Sequence, residues 1–548
     1  MLMKGVPGLQ AFGLQVVTVI LALMARISDY ILYPLASGLR YILWTPSPLP
    51  PIEDTVLLMS ASEIAEKIRT KQLTSERVVT TFAKRLRKIN PILNAVTDER
   101  YQDAISDARR VDALINECQG DSKRLEELKR AKPFLGVPVT TKNALAVQGL
   151  GHESGLYLRR GMKATEDSAV MAAVRATGAI PLAVTNTPEL CLWLESSNRI
   201  FGTTRNPYDT RRTCGGSSGG EGAILAACGS PIGVGTDIAG SIRIPAFYNG
   251  LFGLKPTIRT VDMTGHYPTA KDLLEPLLTA GPMCKFACDL RPMLTHIVGP
   301  RNAQLMALDT RPDLSRLKVY FMEDAECSLA PAPTDELREC TRRVASYLAK
   351  LSQSSAQPLP SEGAIREGMA SATQIYIAYL TKADIPSFAQ ELTMLKGEIS
   401  PSREMLKWTL GWSKHTFPAL LVANLERVNI GYEDAPITNY FYNLSKKVEK
   451  ELELLLEDGV LVIPTLPDVA PFHNLTAIRL GMIGLTGLWN ILGFPAVNVP
   501  LGLNLRGMPL GVTVIAGKMK DNVCCEVALE LERKFHGWTA PCPIAPQK

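Results

Sequence analysis

Gly215-Gly216-Ser217-Ser218-Gly219-Gly220-Glu221-Gly222-Ala223 packs five glycines into nine positions. Such a backbone can adopt positive φ and leave N–H groups pointing into a cavity. A phosphate cradle is the first reading, and it fails on detail. The Lys-Ser/Thr pair that closes a P-loop is absent, and no Rossmann glycine pattern follows a strand. The segment runs straight into apolar Ala223-Ile224-Leu225-Ala226-Ala227, where a helix is expected to start, so it reads as a loop that holds a site. A second small-residue turn follows, Gly235-Thr236-Asp237-Ile238-Ala239-Gly240-Ser241-Ile242-Arg243-Ile244-Pro245-Ala246. Ser241 lies 24 residues after Ser217, room for one helix and one strand to bring the two serines back together. Upstream, Val137-Pro138-Val139-Thr140-Thr141-Lys142 sets a lone lysine at the end of an apolar run. Burial there disfavours the charged amine, and only a lysine that loses its proton near neutral pH can act as a base.

Working outward, short apolar runs ended by Gly, Pro or Asn surround these turns: 136–139, 180–184 and 232–235, then 460–464, 496–499 and 511–515. Helical stretches such as Ser168 to Thr177 separate them, which is the texture of buried strands in an α/β core. Residues 60–132 have helical period, with Thr74-Ser75 before Glu76 as a helix start and Asn90-Pro91 as its end. Tyr101 to Lys132 reads as a second, charged and exposed helical run. Residues 313–458 read as a mostly helical, charged insertion. The fold class is α/β, a central mixed sheet wrapped by helices, with a catalytic domain over 60–540.

The 548 residues are 46% apolar and 21% charged, a globular composition that excludes a disordered or fibrous chain. A net charge of +5 with no basic block makes nucleic acid an unsuitable partner. The eleven cysteines form no C-x-x-C pair and meet no histidine at zinc-ligand spacing, so the chain is expected to use reduced, mostly buried thiols and neither metal nor cofactor.

The N-terminus departs from this pattern. From Gly5 to Ala25, 21 residues without a charge match the thickness of a bilayer core. A retained anchor over 1–44 is expected, since no small-x-small cleavage site follows and a second apolar stretch begins at Ile27. That stretch carries Tyr30, Tyr33, Tyr41 and Trp44, ring types suited to a membrane interface. A Pro-rich linker, 45–59, leads to the soluble part. A single crossing is expected, and the location is taken to be an intracellular membrane such as the endoplasmic reticulum. The two sequons at Asn443 and Asn474 bear on this only if the catalytic domain faces a lumen.

The Gly-Gly-Ser-Ser-Gly-Gly loop, the Gly240-Ser241-Ile242-Arg243-Ile244-Pro245-Ala246 turn and the strand-end Lys142 together resemble the amidase signature family. The likeness runs from about Ser60 to Trp538 and takes in Gly253-Leu254-Lys255-Pro256-Thr257 and Gly493-Phe494-Pro495-Ala496. Within the family, the N-terminal anchor and Glu189-Leu190-Cys191-Leu192-Trp193-Leu194-Glu195-Ser196-Ser197-Asn198 look most like the membrane-bound fatty-acid amide hydrolases of the second type. The resemblance implies a Ser-cisSer-Lys triad: Ser241 as nucleophile, Ser217 as the bridging serine, Lys142 as the base. It implies an oxyanion hole from the N–H groups of Ile238, Ala239, Gly240 and Ser241, each such donor being worth about 3–4 kcal/mol. Ser218, Thr236, Asp237 and Arg243 fall in supporting positions. Ala239 stands where glycine is usual, and Asn143 follows the lysine where an acid is common.

The residues agree without the family. None of the six histidines lies in either glycine-rich turn, which leaves a Ser-His-Asp triad only a distant one to draw on. The G-x-S-x-G elbow is formally present at 215–219, yet Asn206 to Arg212 before it is no buried strand. Met405 to Ala423 mixes Trp408, Leu410, Trp412 and Phe417 with Lys407 and Lys414. It reads either as a buried helix pair or as an interfacial cap, and the resemblance to fatty-acid amide hydrolases implies that, with Trp193, it marks the entry for a lipid substrate. The expected function is hydrolysis of lipid amides at a membrane, with a homodimer left open. The alternatives are an amidotransferase-type or general acyl amidase, and a catalytically silent lipid-amide carrier.

Overall fold

The apolar runs at Pro138–Lys142 and Ile180–Thr185 lie side by side and parallel, and Ile232–Asp237 flanks the first of them, also parallel. Every residue of all three is buried, as a sheet covered on both faces requires. The computed structural model describes residue 24 and residues 27–118, 120–269, 277–324, 326–383, 385–429 and 432–546. In chain order the strands are β1 (Val96–Glu99), β2 (Pro138–Lys142), β3 (Ile180–Thr185), β4 (Ser197–Asn198), β5 (Gly202–Thr203), β6 (Ile232–Asp237), β7 (Phe252–Lys255), β8 (Thr279–Cys284), β9 (Lys318–Phe321), β10 (Gln357–Pro358), β11 (Gly459–Pro464), β12 (Ala496–Leu503) and β13 (Pro509–Ala516). Eleven of them form one mixed sheet in the order β1-β3-β2-β6-β8-β7-β12-β13-β11-β9-β10, while β4 and β5 pair separately.

Helices cover this sheet for reasons visible in their ends. Ser60, Thr74 and Ser168 accept from the backbone N–H three residues on, each capping the helix that follows. Helix Ser75–Leu93 then turns Val78, Val79, Phe82, Leu86 and Ile89 into the core, the spacing read from the sequence. Its end lies beyond Pro91, however. The helix continues to buried Leu93 and closes on Asn94 in the left-handed region, while the Asn90 side chain accepts from the Ala95 and Val96 N–H groups. The charged run after Tyr101 is two helices, Tyr101–Glu117 and Ser122–Ala131.

Of three further expectations, one is refined, one is corrected and one lies outside the described residues. The stretch 313–458 is mostly helical, as read, and within it β9 and β10 extend the central sheet from its far edge, next to β11. The Pro-rich segment is not a free spacer, because Arg85 Nη1 donates to the carbonyls of Pro50 and Pro51, and Ile52 bridges to Ile544. Its apolar Leu49, Ile52, Val56 and Leu57 are buried. The apolar run Gly5 to Ala25 lies outside the described residues except for Met24. Among the described residues no helix is long and apolar enough to cross a membrane.

The second apolar stretch forms a helix over Ser28–Leu32 and Tyr33–Leu43 that docks on the rest of the fold. Arg479 stacks on the Tyr33 ring at 3.3 Å and pairs with Asp29 at 3.0 Å, and Tyr33 packs with Phe472 and Leu475. Its other side leaves Ile31, Leu35, Leu39 and Ile42 exposed, Ile42 to 78%.

Candidate active site

Lys142 is the last residue of β2 and Asp237 the last of β6, so the parallel pairing of these strands delivers both to the same end of the sheet. Helix Gly219–Ala226 leads from the Ser217 loop into β6. It starts four residues before the apolar run that was expected to open it, inside the glycines. Those glycines allow close approach more than left-handed backbone. A Cβ on Gly220 would meet the Asn186 N at 2.5 Å, and one on Gly222 the Asn249 Nδ2 at 2.6 Å. Only Gly215 of the five has positive φ, 84°, and the Gly216–Ser217 peptide is cis.

Around Lys142 the geometry is tight. Its Nζ donates to Ser217 Oγ at 2.6 Å and to Thr236 Oγ1 at 2.9 Å, and the side chain is fully buried. Burial pushes its pKa below the ordinary lysine value, against the opposing influence of the Cys191 thiol and of Asp237. Thr236 Oγ1 also meets His266 Nε2 at 3.3 Å. Burial, with the nearby Lys142 charge, pushes that imidazole down to about 3, so it is neutral at physiological pH.

The two serine loops are joined by their backbones. The Ser218 N–H donates to the Ser241 carbonyl at 3.2 Å, and Ser218 Oγ accepts from the Thr236 N–H at 3.3 Å. Ser196 Oγ bonds the carbonyls of Gly215 and Ser217 and accepts from the Gly219 N–H.

Asp237 organises the second turn. Its carboxylate accepts from the N–H groups of Gly240 and Ile242, from Arg243 Nε and Nη2, and from Asn490 Nδ2. Burial would raise its pKa, but the Arg243 guanidinium overrides this and holds it at about 2. Of the four amides expected to line an oxyanion hole, that of Gly240 is thus already taken, at 2.7 Å, by Asp237 Oδ1. Its glycine serves the backbone instead: φ is +116°, and a Cβ would collide with Thr486. Ala239 has no positive φ, so alanine costs this turn no strain, and its carbonyl accepts from the Thr486 hydroxyl.

Asn143, the other departure from the family pattern, cross-links the strand end. Its Oδ1 accepts from the Glu153 and Ser154 N–H groups, and its Nδ2 donates to Glu153 Oε2 and Thr97 Oγ1. An amide can donate and accept at once, which a carboxylate in its place could not. Beneath the loop, Glu221 accepts from the hydroxyls of Thr140 and Thr185, each at 2.8 Å; burial raises its pKa to about 8.

Sequence reasoning passed over Cys191, Ser196, Glu221, His266, Thr486 and Asn490. Glu221 and Ser196 stood inside or beside quoted motifs and signalled themselves as polar residues among small ones. Asn490, in an otherwise apolar helix Ile483–Ile491, gave a weaker signal of the same kind. The proposed entry residues divide. Trp408 packs on Phe417 at 5.1 Å, Trp412 is 75% exposed, and Trp193 is half-buried on the loop beside Gly216.

A family model described as Amidase matches residues 77–525. The chain belongs to the amidase family. It is a hydrolase of amide C–N bonds, and the resemblance read from its motifs holds along its length. It is 39% identical to fatty-acid amide hydrolase 2-A of Danio rerio over 501 residues, covering 90% of this chain and 92% of that one. To fatty-acid amide hydrolase 2 of Homo sapiens it is 38% identical over 515 residues, 92% of this chain and 93% of the other. Among solved structures, 6-aminohexanoate cyclic dimer hydrolase complexed with substrate shares the fold with a TM-score of 0.69 at 23% identity, over 87% of this chain and 97% of that one.

Proposed function

We propose that this amidase hydrolyses amides of fatty acids at a membrane surface, with Ser241 as nucleophile, Ser217 as proton shuttle and Lys142 as base. The observation that carries the reading is the 2.6 Å bond between buried Lys142 and Ser217, on a loop whose next residue bonds the Ser241 backbone. In its neutral form the Lys142 amine takes the Ser217 proton while Ser217 takes that of Ser241, freeing Oγ to attack the amide carbonyl. The oxyanion that forms would be met by the N–H groups of Ile238, Ala239 and Ser241. Collapse breaks the C–N bond as the proton returns from Lys142 through Ser217 to the leaving amine. A water then repeats the sequence on the acyl-enzyme ester, releasing the acid and restoring Ser241.

The lipid part of the proposal rests on the similarity to fatty-acid amide hydrolases and on apolar side chains left in the open. Leu406, Leu410 and Trp412 are exposed beside Lys407 and Lys414, a composition that suits a headgroup boundary. Ala419, Leu420 and Ala423, further along the segment, are buried, so it is part core and part cap. With the exposed side of the helix ending at Leu43, this gives two surfaces for a bilayer, and Gly5 to Ala25 would add an anchor. The test is hydrolysis of a panel of acyl amides of graded chain length by detergent-solubilised protein. Long-chain amides are expected to be turned over fastest; turnover confined to short or polar amides would remove the lipid part and leave a general amidase.

A further inference from the structure

One neighbour of Lys142 has no role in the proton path. The Cys191 sulfur lies close enough to Lys142 to act on its charge, and Thr187 Oγ1 donates to that sulfur at 3.3 Å. Leu190 and Cys191 both have left-handed backbone, with φ of 52° and 60°. Residues other than glycine keep such a conformation only where their surroundings over-determine it. Here a buried carboxylate grips each end of the loop. Glu189 Oε1 pairs with His415 Nδ1 at 2.8 Å, while its Oε2 accepts from the Thr416 N–H at 2.8 Å and the Thr416 hydroxyl at 2.9 Å. Glu195 Oε1 accepts from the Thr476 hydroxyl at 2.6 Å and N–H at 3.2 Å, and its Oε2 accepts from the Asn474 N–H at 2.9 Å. The two residues are 2% and 3% exposed.

Each carboxylate reaches a different surface element. Thr416 immediately precedes helix Phe417–Asn429, which follows the exposed Leu406 to Trp412 segment. Thr476 opens the 3-10 helix Thr476–Met482, whose Arg479 holds Asp29 and Tyr33 of the N-terminal helix. The loop is therefore strung between two elements that adjoin exposed apolar side chains, and its middle lies near the base. Its last residue before β4, Ser196, bonds the Ser217 carbonyl.

We infer that Glu189 and Glu195 are positioning residues for amide hydrolysis, clamping loop 189–196 to the two apolar surface elements so that Cys191 stays against Lys142 and Ser196 against the Ser217 loop. The inference rests on Lys142 being the base. The titratable groups facing Lys142 are Cys191 from this loop, Asp237 from β6 and His266 from the turn before Tyr267. Those facing the carboxylates are His415 beside Glu189 and, around Glu195, His473 at 3.8 Å with Cys214 and Tyr248. The thiol contact favours the charged amine, so loss of it lets Lys142 give up its proton at lower pH.

The test reads Ser241 itself: the rate of its labelling by a fluorophosphonate across pH, on the full chain in detergent micelles, with the labelled residue located by mass spectrometry. Cys191→Ala should move the pH midpoint of labelling down by about half a unit or more. Glu189→Gln and Glu195→Gln should move it the same way and slow labelling about tenfold. Thr416→Val and Thr476→Val weaken the same clamps without leaving a charge unpaired, and should give smaller shifts of the same sign. Midpoints that stay at the wild-type value in Cys191→Ala and in the threonine variants, whatever happens to melting temperature, would overturn the inference and leave the triad standing. Wild-type protein that is not labelled at Ser241 would instead remove the triad, and the positioning role with it.

Discussion

At the floor of the site, from Lys142 across to Asn490, charged and hydroxyl side chains are buried and held by named partners. On the helix ending at Leu43 and along Leu406 to Trp412, isoleucine, leucine and tryptophan side chains face outward. Both regions run against what stability alone would select. Burying a lysine, an aspartate and an arginine costs free energy unless their bonds are nearly complete, and an apolar side chain in water forgoes its burial. The difference lies in what answers each cost. Inside, the answer is on the molecule: Asp237 receives two backbone N–H groups, a guanidinium and an amide. Outside, no described residue covers the apolar side chains, and under the proposed function a bilayer would.

If the interior is chemistry, breaking it should stop the reaction without freeing the protein from membranes. Lys142→Ala should lower amide turnover by about 10³–10⁴-fold, the scale of a lost general base. A matched ester should suffer less, because an alkoxide leaves without the proton that a leaving amine needs. In the wild type, turnover should rise with pH through the depressed pKa of Lys142, since only the neutral amine accepts a proton. Steady-state rates on the ester–amide pair across pH check both statements; equal losses with an unchanged pH profile would make Lys142 structural. Ser217→Ala should cost less, about 10²–10³-fold, because water can partly replace a shuttle.

Stability sharpens the same contrast. Glu221 stays protonated in the fold to about pH 8, whereas its ordinary value is 4.5. Its contribution is fully present below that ordinary value and is lost as pH rises towards 8. Glu221→Gln mimics the neutral acid and should gain on the wild type across this window by about 1.4 kcal/mol per pH unit, read from denaturant unfolding. A constant difference between the two proteins would show that the carboxyl ionises normally.

Breaking the exterior should do the reverse. Deleting residues 1–44 should release the protein from vesicles only in part, with the Leu406 to Trp412 surface retaining some affinity, and adding Leu406→Ser and Trp412→Ser should complete the release. Flotation of each variant with vesicles measures this. Full release by the deletion alone would remove the cap from the account.

The two regions also differed in how far the sequence disclosed them. The strands around the site were legible because a doubly covered sheet writes continuous apolar runs, and the two glycine turns because close backbone contact excludes a Cβ. Lys142 could be read from its place at a strand end. The residues that bind these parts together could not. Thr486, Asn490 and His266 act from far along the chain, and only Asn490, a polar residue in a largely apolar helix, left even a weak mark in its local pattern. The end of helix Ser75–Leu93 was misread because Pro91 sits in its last turn, where burial of Leu93 outweighs the missing N–H. The strands β9 and β10 were hidden by their length, four and two residues.

The central claim is that Ser241 attacks the amide. Hydrolysis of a long-chain fatty-acid amide in detergent micelles, compared between the wild type and Ser241→Ala with equal fractions folded, tests it most directly. The account predicts turnover by the wild type and a fall of about 10⁶-fold, to background, in the variant. A variant that keeps a measurable share of the wild-type rate would contradict it.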